Sequence, residues 1–167
     1  NGWDMSASGV AAVWATENTR EALYAAFKRK EVYATSGPRM RVQMFAGWDF
    51  PEHAAMAEDF GGIGNQYGVP MGGDLTATDE DNKAPSFLIR AVKGPVDANL
   101  DRVQVVKGWI DNSGQQQEKV YNVAWSDNRE LNAEGELPEV GNTVDLKSGR
   151  YTNTIGQAEL AVLWVDP

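Results

Sequence analysis

The chain has 167 residues, a length typical of one domain or of one domain with a short extension. Its 15 Lys and Arg are outnumbered by 24 Asp and Glu, giving a formal net charge of −9, and such an acidic surface repels nucleic-acid phosphates and anionic lipid. It has no apolar run approaching the ~20 residues of a membrane span, and the absence of Cys excludes disulfides and thiolate sites. We therefore expect neither nucleic acid nor a membrane span.

Residues 1–46 are predicted to contain one helix followed by two strands. Asn18 with Glu21 three residues later is typical of a capping box at a helix start. An apolar stripe at helical spacing follows, made of Ala22, Leu23, Ala26 and Phe27. Residues 32–35 are rich in strand formers, and apolar residues alternate with polar ones over residues 40–45. Between the strands, residues 36–39 predict a tight turn in which Gly37 takes positive φ, so Gly37→Val is expected to be poorly tolerated.

Residues 47–83 are predicted to form an irregular, Gly-rich connection, with Gly61, Gly62, Gly64 and Gly68 in a flexible loop. Residues 84–167 are predicted to be a β-sandwich, with strands at 86–92, 102–110, 119–125, 143–147 and 160–165 and a hairpin turn at 111–114. The expected fold class is α+β and mostly β, with an N-terminal helix and strands joined to an antiparallel β-sandwich.

Seven stretches resemble, in order, the successive signatures of one bacterial family: residues 8–15, 18–22, 33–39, 47–50, 69–74, 99–102 and 151–156. That family is a domain of unknown function related to the polymerase-and-histidinol-phosphatase (PHP) superfamily of metal-dependent hydrolases. The resemblance implies that this chain is the C-terminal part of such a protein: residues 1–46 would be the end of the PHP-like unit. The family's metal ligands would lie mostly upstream of Asn1, in the N-terminal catalytic part of the same polypeptide.

The resemblance therefore implies a divalent metal in the full-length parent and none in this chain. It also implies an exported or periplasmic protein of a Gram-negative bacterium. Family members usually continue past Pro167 with a strand-like stretch, so a chain that ends there would leave a sheet edge unpaired. We therefore expect a possible homodimer through that edge.

No residue of this chain is predicted to be catalytic or to bind metal. His53, the single imidazole, lies beside Pro51 and Glu52 and is predicted to be an ordinary surface residue. In the parent enzyme, Thr35, Ser36 and Arg39 are candidates to line the mouth of the active site, because hydroxyls and a guanidinium suit contacts to an oxyanion. For Arg39, a plain solvent-facing turn residue is the alternative interpretation.

The most economical functional hypothesis is a non-catalytic, structural or substrate-access portion of a phosphoesterase-like hydrolase, with no turnover expected from this chain alone. A carbohydrate- or protein-binding β module is the alternative, because exposed Trp faces stack on sugars. The relevant side chains are Trp48, Trp109, Trp125 and Trp164. Trp109 and Trp125 lie in alternating strands and are predicted to be core or half-buried.

Overall fold

A computed structural model describes residues 9–80 and 83–167 of the chain. Ser8 of the first motif, and Asp81 and Asn82 of the predicted connection, lie outside the described residues. In order along the described chain, the elements are β1 (Val10–Val13), α1 (Arg20–Lys28), β2 (Val32–Thr35), β3 (Arg41–Gly47), a 3-10 turn (Ala54–Met56), α2 (Phe60–Tyr67), β4 (Gly68–Pro70), β5 (Ser86–Val92), β6 (Arg102–Ile110), β7 (Gln116–Trp125) and β8 (Glu159–Val165). The predicted α+β, mostly β class is confirmed.

Helix α1 begins one residue later than the sequence pattern indicates. Thr19, not Asn18, is the N-cap, and its hydroxyl accepts a hydrogen bond of 3.3 Å from the Ala22 amide. One side of the helix is buried at Ala26. Strands β1 and β2 flank α1 in sequence and pair antiparallel with each other, from Val10 opposite Thr35 to Val13 opposite Val32.

The connection from β2 to β3 contains Gly37. The prediction that Gly37 takes positive φ, and therefore tolerates Val poorly, is wrong. Gly37 does not adopt positive φ, and a Cβ built on it would meet no atom within 4 Å. The position is therefore open to a side chain.

A four-stranded sheet in the order β4-β3-β5-β8 forms the centre of the first compact unit. Strand β3 pairs antiparallel with β4 and β5, which places Phe45 opposite both Pro70 and Leu88. Phe45 is 1% exposed and Leu88 is fully buried, and both belong to the core cluster that includes Ala54 and Phe60. The core thus lies between one face of the sheet and the two short helical segments that follow β3.

Helix α2 occupies the segment that was predicted to be a flexible Gly-rich loop, and that prediction is wrong. The Asp59 carboxylate caps the helix by accepting a 3.0 Å hydrogen bond from the Gly62 amide. Gly64 lies against the Phe45 ring, so a Cβ there would come within 2.3 Å of it. At residue 64 a glycine allows the helix backbone to approach the core closely, which outweighs its poor helix propensity.

The second compact unit spans residues 98–160 and contains the β6–β7 hairpin. Its turn was correctly predicted: the Asp111 carboxylate accepts bonds from Ser113 and Gln115, and Gly114 has φ of +80°. A predicted strand over residues 143–147 is wrong. That segment makes only an isolated bridge between Asp145 and Arg150, because the Asp145 side chain bonds locally and closes a turn.

Among the described residues, the first compact unit comprises residues 9–80, 83–97 and 161–167. This grouping follows strand pairing rather than chain order, since β3 pairs with β5, and β5 neighbours β8 in the sheet. It therefore does not coincide with the predicted segments 1–46, 47–83 and 84–167. Among the described residues, neither helix has the length and apolar character that crossing a membrane requires.

Candidate functional site

The three predicted mouth residues differ in their access to solvent. Ser36 and Arg39 are exposed on the connection that follows β2. Thr35, the last residue of β2, is only 8% exposed, and its hydroxyl has no hydrogen-bond partner within residues 9–80 and 83–167. Only Ser36 and Arg39 are thus presented for a contact with a ligand.

His53 is exposed, as predicted, and immediately precedes the 3-10 turn. Across the part of the chain that the structure describes, no three His, Asp or Glu side chains are grouped so that they could hold a metal ion.

The motif residues 47–50 and 69–74 meet at an apolar pocket of about 470 Å³ on the four-stranded sheet. Met44, Ala46 and Phe87 of the sheet form one side, and the segment after β4 forms another. The full lining is Met44, Ala46, Trp48, Val69, Pro70, Met71, Gly72, Gly73, Leu75, Ala77, Pro85 and Phe87. None of these side chains is ionisable, so the pocket presents an uncharged surface.

Trp48 holds the segment that borders this pocket. Its indole N–H donates a 3.0 Å hydrogen bond to the Thr76 carbonyl, 28 residues away in sequence. Gly72 has φ of +87°, and a Cβ there would lie 2.3 Å from the Lys30 carbonyl oxygen. The Gly72-Gly73 motif is therefore explained by backbone geometry and close approach.

Two further motifs, residues 99–102 and 151–156, hold segments of the second unit together by hydrogen bonds. The Asn99 side-chain amide donates to the carbonyls of Ile155 and Gly156, at 2.9 and 3.3 Å. Asp101 Oδ1 lies 2.7 Å from Arg129 Nη1, and Arg129 also donates to the Asp101 backbone carbonyl. These motif residues fasten distant segments to each other, a structural use of their polar groups.

The outer face of α1, formed by Leu23, Tyr24 and Phe27, is apolar and open. Tyr24 is 64% exposed and Phe27 is 51% exposed, whereas Ala26 on the other side of the helix is fully buried. A shallow concave surface runs along this α1 outer face. Exposed aromatic side chains gathered on one helix face are typical of an interaction surface.

The β6–β7 hairpin carries a second unusual surface, the aromatic–lysine face. Its members are Lys107, Trp109, Lys119 and Tyr121. Lys107 lies directly opposite Lys119, and Trp109 lies opposite Gln117. Each lysine ammonium lies over an aromatic ring of its own strand: Lys107 is 5.5 Å from the Trp109 centroid and Lys119 is 4.8 Å from that of Tyr121.

Trp109 is 39% exposed, which is more than predicted. Trp125 is half-buried, as predicted, and its indole N–H donates a hydrogen bond to the Arg129 carbonyl. The aromatic–lysine face was missed in the sequence. The repeated Lys-x-aromatic spacing at 107–109 and 119–121 is the signal that could have shown it, together with the hairpin turn that sets the register.

The hairpin turn is held by one unusually acidic carboxyl group. Hydrogen bonds from the Ser113 side chain, the Gln115 amide and the Gln117 side chain lower the pKa of Asp111 from 3.8 to about 2. Asp111 is therefore charged at neutral pH, and its bond to Gln117 fixes the amide beside Trp109.

Comparison with known proteins gives one family. The sequence model of a family described as protein of unknown function (DUF3604) matches residues 1–167. No curated protein matches the chain. No solved structure matches it either.

Proposed function

Because the chain belongs to the DUF3604 family of proteins of unknown function, we propose its role from its surfaces and from the PHP resemblance of its motifs. In this proposal the chain is the non-catalytic C-terminal portion of a bacterial metal-dependent, phosphoesterase-like hydrolase. It stabilises the N-terminal catalytic part of the same polypeptide and borders the access to its active site.

The α1 outer face is the observation that carries this proposal. Tyr24 and Phe27 expose most of their rings on a helix that is capped at Thr19 and packed on its other side at Ala26. Covering the two rings would contribute roughly 2–3 kcal/mol to the stability of the full-length protein. A covering surface supplied by the catalytic part explains why a well-formed helix presents aromatic side chains outward.

The substrate-access role is assigned to Ser36 and Arg39, because both are exposed on one short connection. A guanidinium binds a phosphate or carboxylate through two parallel hydrogen bonds, and a hydroxyl adds a third. Thr35 is buried, so no ligand contact is assigned to it. The divalent metal belongs to the proposal as a cofactor of the catalytic part, and no residue of this chain is assigned to it.

Location and self-association are part of the same proposal. Export to the periplasm is supported by the family resemblance of the motifs. Homodimerisation is supported by the position of β8, which is an outer strand of the four-stranded sheet among the described residues. A single species of monomer mass in light scattering at high concentration would remove the dimer from the proposal.

The experiment compares the full-length protein with this chain, using hydrolysis of p-nitrophenyl phosphate in the presence of a divalent metal. We expect turnover from the full-length protein and none from the chain. The double substitution Tyr24→Ser with Phe27→Ser is then introduced into both. In the chain the two side chains are exposed, so we expect little change in melting temperature; in the full-length protein we expect a lower melting temperature and reduced turnover.

Leu146→Ser is the matched control, since Leu146 is exposed but lies outside the α1 outer face. It should leave both proteins unchanged. Equal effects of the double substitution on the chain and the full-length protein would refute the covering of α1. Phosphatase turnover by the chain alone would refute its non-catalytic role.

A second candidate function, a carbohydrate-binding module, is favoured by the exposure of Trp109. The Trp109 side chain is 39% exposed on the β6–β7 hairpin, and an exposed indole offers a stacking surface for a sugar ring. The test is retardation of the chain in native gels that contain a polysaccharide, and its loss in Trp109→Ala.

A further inference from the structure

The apolar pocket on the four-stranded sheet exists because one small residue lies among larger ones. Ala46 of β3 lies opposite Val69 of β4 and opposite Phe87 of β5 in the antiparallel register. Residues paired in this way project from the same face of a sheet, and so do residues two positions apart along a strand. Met44 and Trp48, two positions before and after Ala46, accordingly line the same pocket. The Ala46 methyl group thus forms a floor surrounded by larger side chains.

This face of the sheet is the reverse of the one that carries the core. Phe45 and Leu88 alternate with the pocket residues along β3 and β5 and are buried on the other side. Trp48 and Phe87, by contrast, are half-buried. The Phe87 ring packs against Trp164 of β8, with ring centroids 5.6 Å apart, and this contact holds the ring at the edge of the pocket. Part of the aromatic surface therefore remains open towards the pocket.

The wall formed by the segment after β4 is fastened to β3 at two places. The Met71 amide donates a 2.9 Å hydrogen bond to the Met44 carbonyl. The Trp48 indole N–H donates to the Thr76 carbonyl, and Leu75, which lines the pocket, immediately precedes this anchor. Walls held by hydrogen bonds of the folded chain make a pocket that is formed before a ligand arrives, as is usual for small-molecule sites.

The size and chemistry of the lining define the class of ligand. The pocket has a volume of about 470 Å³ and no ionisable lining side chain. An apolar cavity of about 150 Å³ is large enough for benzene, so this pocket has room for about two or three rings. Burying an unpaired charge there would be costly. Two aromatic side chains and the polarisable sulfurs of Met44 and Met71 favour contacts with a ring system.

We propose that this pocket binds a small uncharged molecule of about two or three apolar rings, in contact with Trp48, Phe87 and the two methionine side chains. The site is independent of the proposed catalytic part and of carbohydrate binding on the hairpin. A peptide segment fits the pocket less well, because its backbone N–H and C=O groups need hydrogen-bond partners. The Met44 and Thr76 carbonyls beside the pocket already accept hydrogen bonds from the chain itself.

The test titrates the chain with phenylnaphthylamine, an uncharged three-ring dye whose fluorescence rises in an apolar site. We expect saturable binding of one dye molecule per chain. Anilinonaphthalene sulfonate has the same ring skeleton with an added sulfonate group. We expect it to bind about tenfold more weakly, because no lining side chain is a cation.

Two substitutions locate the site. Ala46→Leu fills the floor of the pocket and should weaken binding of the dye about tenfold; Ala34→Leu, the same change at an exposed position of β2, is its control and should bind as the parent chain does. Leu75→Ser removes part of a wall outside the sheet and should weaken binding about fivefold. Its control, Leu146→Ser, alters a side chain that is 90% exposed and should have no effect. Circular dichroism verifies that each variant is folded, and the wall variant keeps the test valid if the floor variant is not.

Each negative result overturns a different part of the proposal. Absence of saturable dye binding would overturn the site itself, and equal affinity for the sulfonate would overturn the uncharged class. Binding that persists in Ala46→Leu and Leu75→Ser but is lost in Tyr24→Ser with Phe27→Ser would place the dye on the α1 outer face instead. We expect the full-length protein to bind the dye as the chain does; loss of binding there would show that another part of the polypeptide fills the pocket, and would overturn the small-molecule assignment.

Discussion

Gly64→Ala tests whether the Gly-rich segment is a packed helix or a flexible loop. A Cβ at residue 64 would lie 2.3 to 2.5 Å from three atoms of the Phe45 ring. Carbon atoms in a relaxed core are about 3.5–4.0 Å apart. Phe45 is 1% exposed and packs against Phe60 with ring centroids 5.9 Å apart, so its ring has little space in which to withdraw.

The magnitude follows from two opposing effects. Overpacking of a filled core costs about 1–3 kcal/mol. Replacing Gly by Ala inside a helix contributes up to about 1 kcal/mol in the opposite direction. We therefore expect Gly64→Ala to lower the free energy of unfolding by about 1–2 kcal/mol, measured by urea unfolding with circular dichroism.

Gly61→Ala is the matched control in the same helix. A Cβ at residue 61 would meet only the end of the Gln43 side chain, 3.9 Å away, so only the helix-propensity effect remains. We expect this variant to be as stable as the parent chain or slightly more stable. If Gly64→Ala is at least as stable as Gly61→Ala, the close approach of α2 to Phe45 is wrong and the segment behaves as a loop.

Three further predictions concern single residues. Gly37→Ala should leave the melting temperature unchanged, because a Cβ there meets nothing within 4 Å; a clear loss of stability would show that the connection needs glycine. Asn99→Ala should speed amide exchange around Gly156 and cost about 1–2 kcal/mol, since two hydrogen bonds to carbonyls of residues 155–156 are lost; unchanged exchange would refute this role of Asn99. Asp111 has a lowered pKa in the folded state, so its stabilising effect is present above its ordinary pKa of 3.8 and is lost as the pH falls towards about 2. The difference in unfolding free energy between the parent chain and Asp111→Ala should therefore shrink over that interval. A difference that stays constant would contradict the stabilising role of the charged Asp111.

Local patterns predicted those elements whose structure depends on neighbouring residues. The alternation around Met44 correctly indicated β3, and the turn residues from Asp111 to Gly114 correctly indicated the β6–β7 hairpin. Helix α2 was missed because the reason for Gly64 lies in the distant residue Phe45. Sequence spacing cannot show a close approach between segments that are far apart in the chain.

The candidate site was only partly predictable for the same reason. The turn chemistry indicated an exposed connection at Ser36 and Arg39, but the burial of Thr35 depends on packing. Trp109 was expected to be covered because its strand alternates, and alternation normally indicates a buried face. Its strand instead belongs to a two-stranded hairpin, which leaves the indole 39% exposed.

Hydroxyl-radical footprinting of the full-length protein and of this chain, followed by mass spectrometry, tests the central proposal most directly. The oxidation rates of Tyr24 and Phe27 report the exposure of the α1 outer face, and Trp109 serves as the internal reference on the hairpin. We predict that Tyr24 and Phe27 are oxidised readily in the chain and several-fold more slowly in the full-length protein, while Trp109 is equally reactive in both. Equal oxidation of Tyr24 and Phe27 in the two proteins would contradict the proposal that the catalytic part covers this surface.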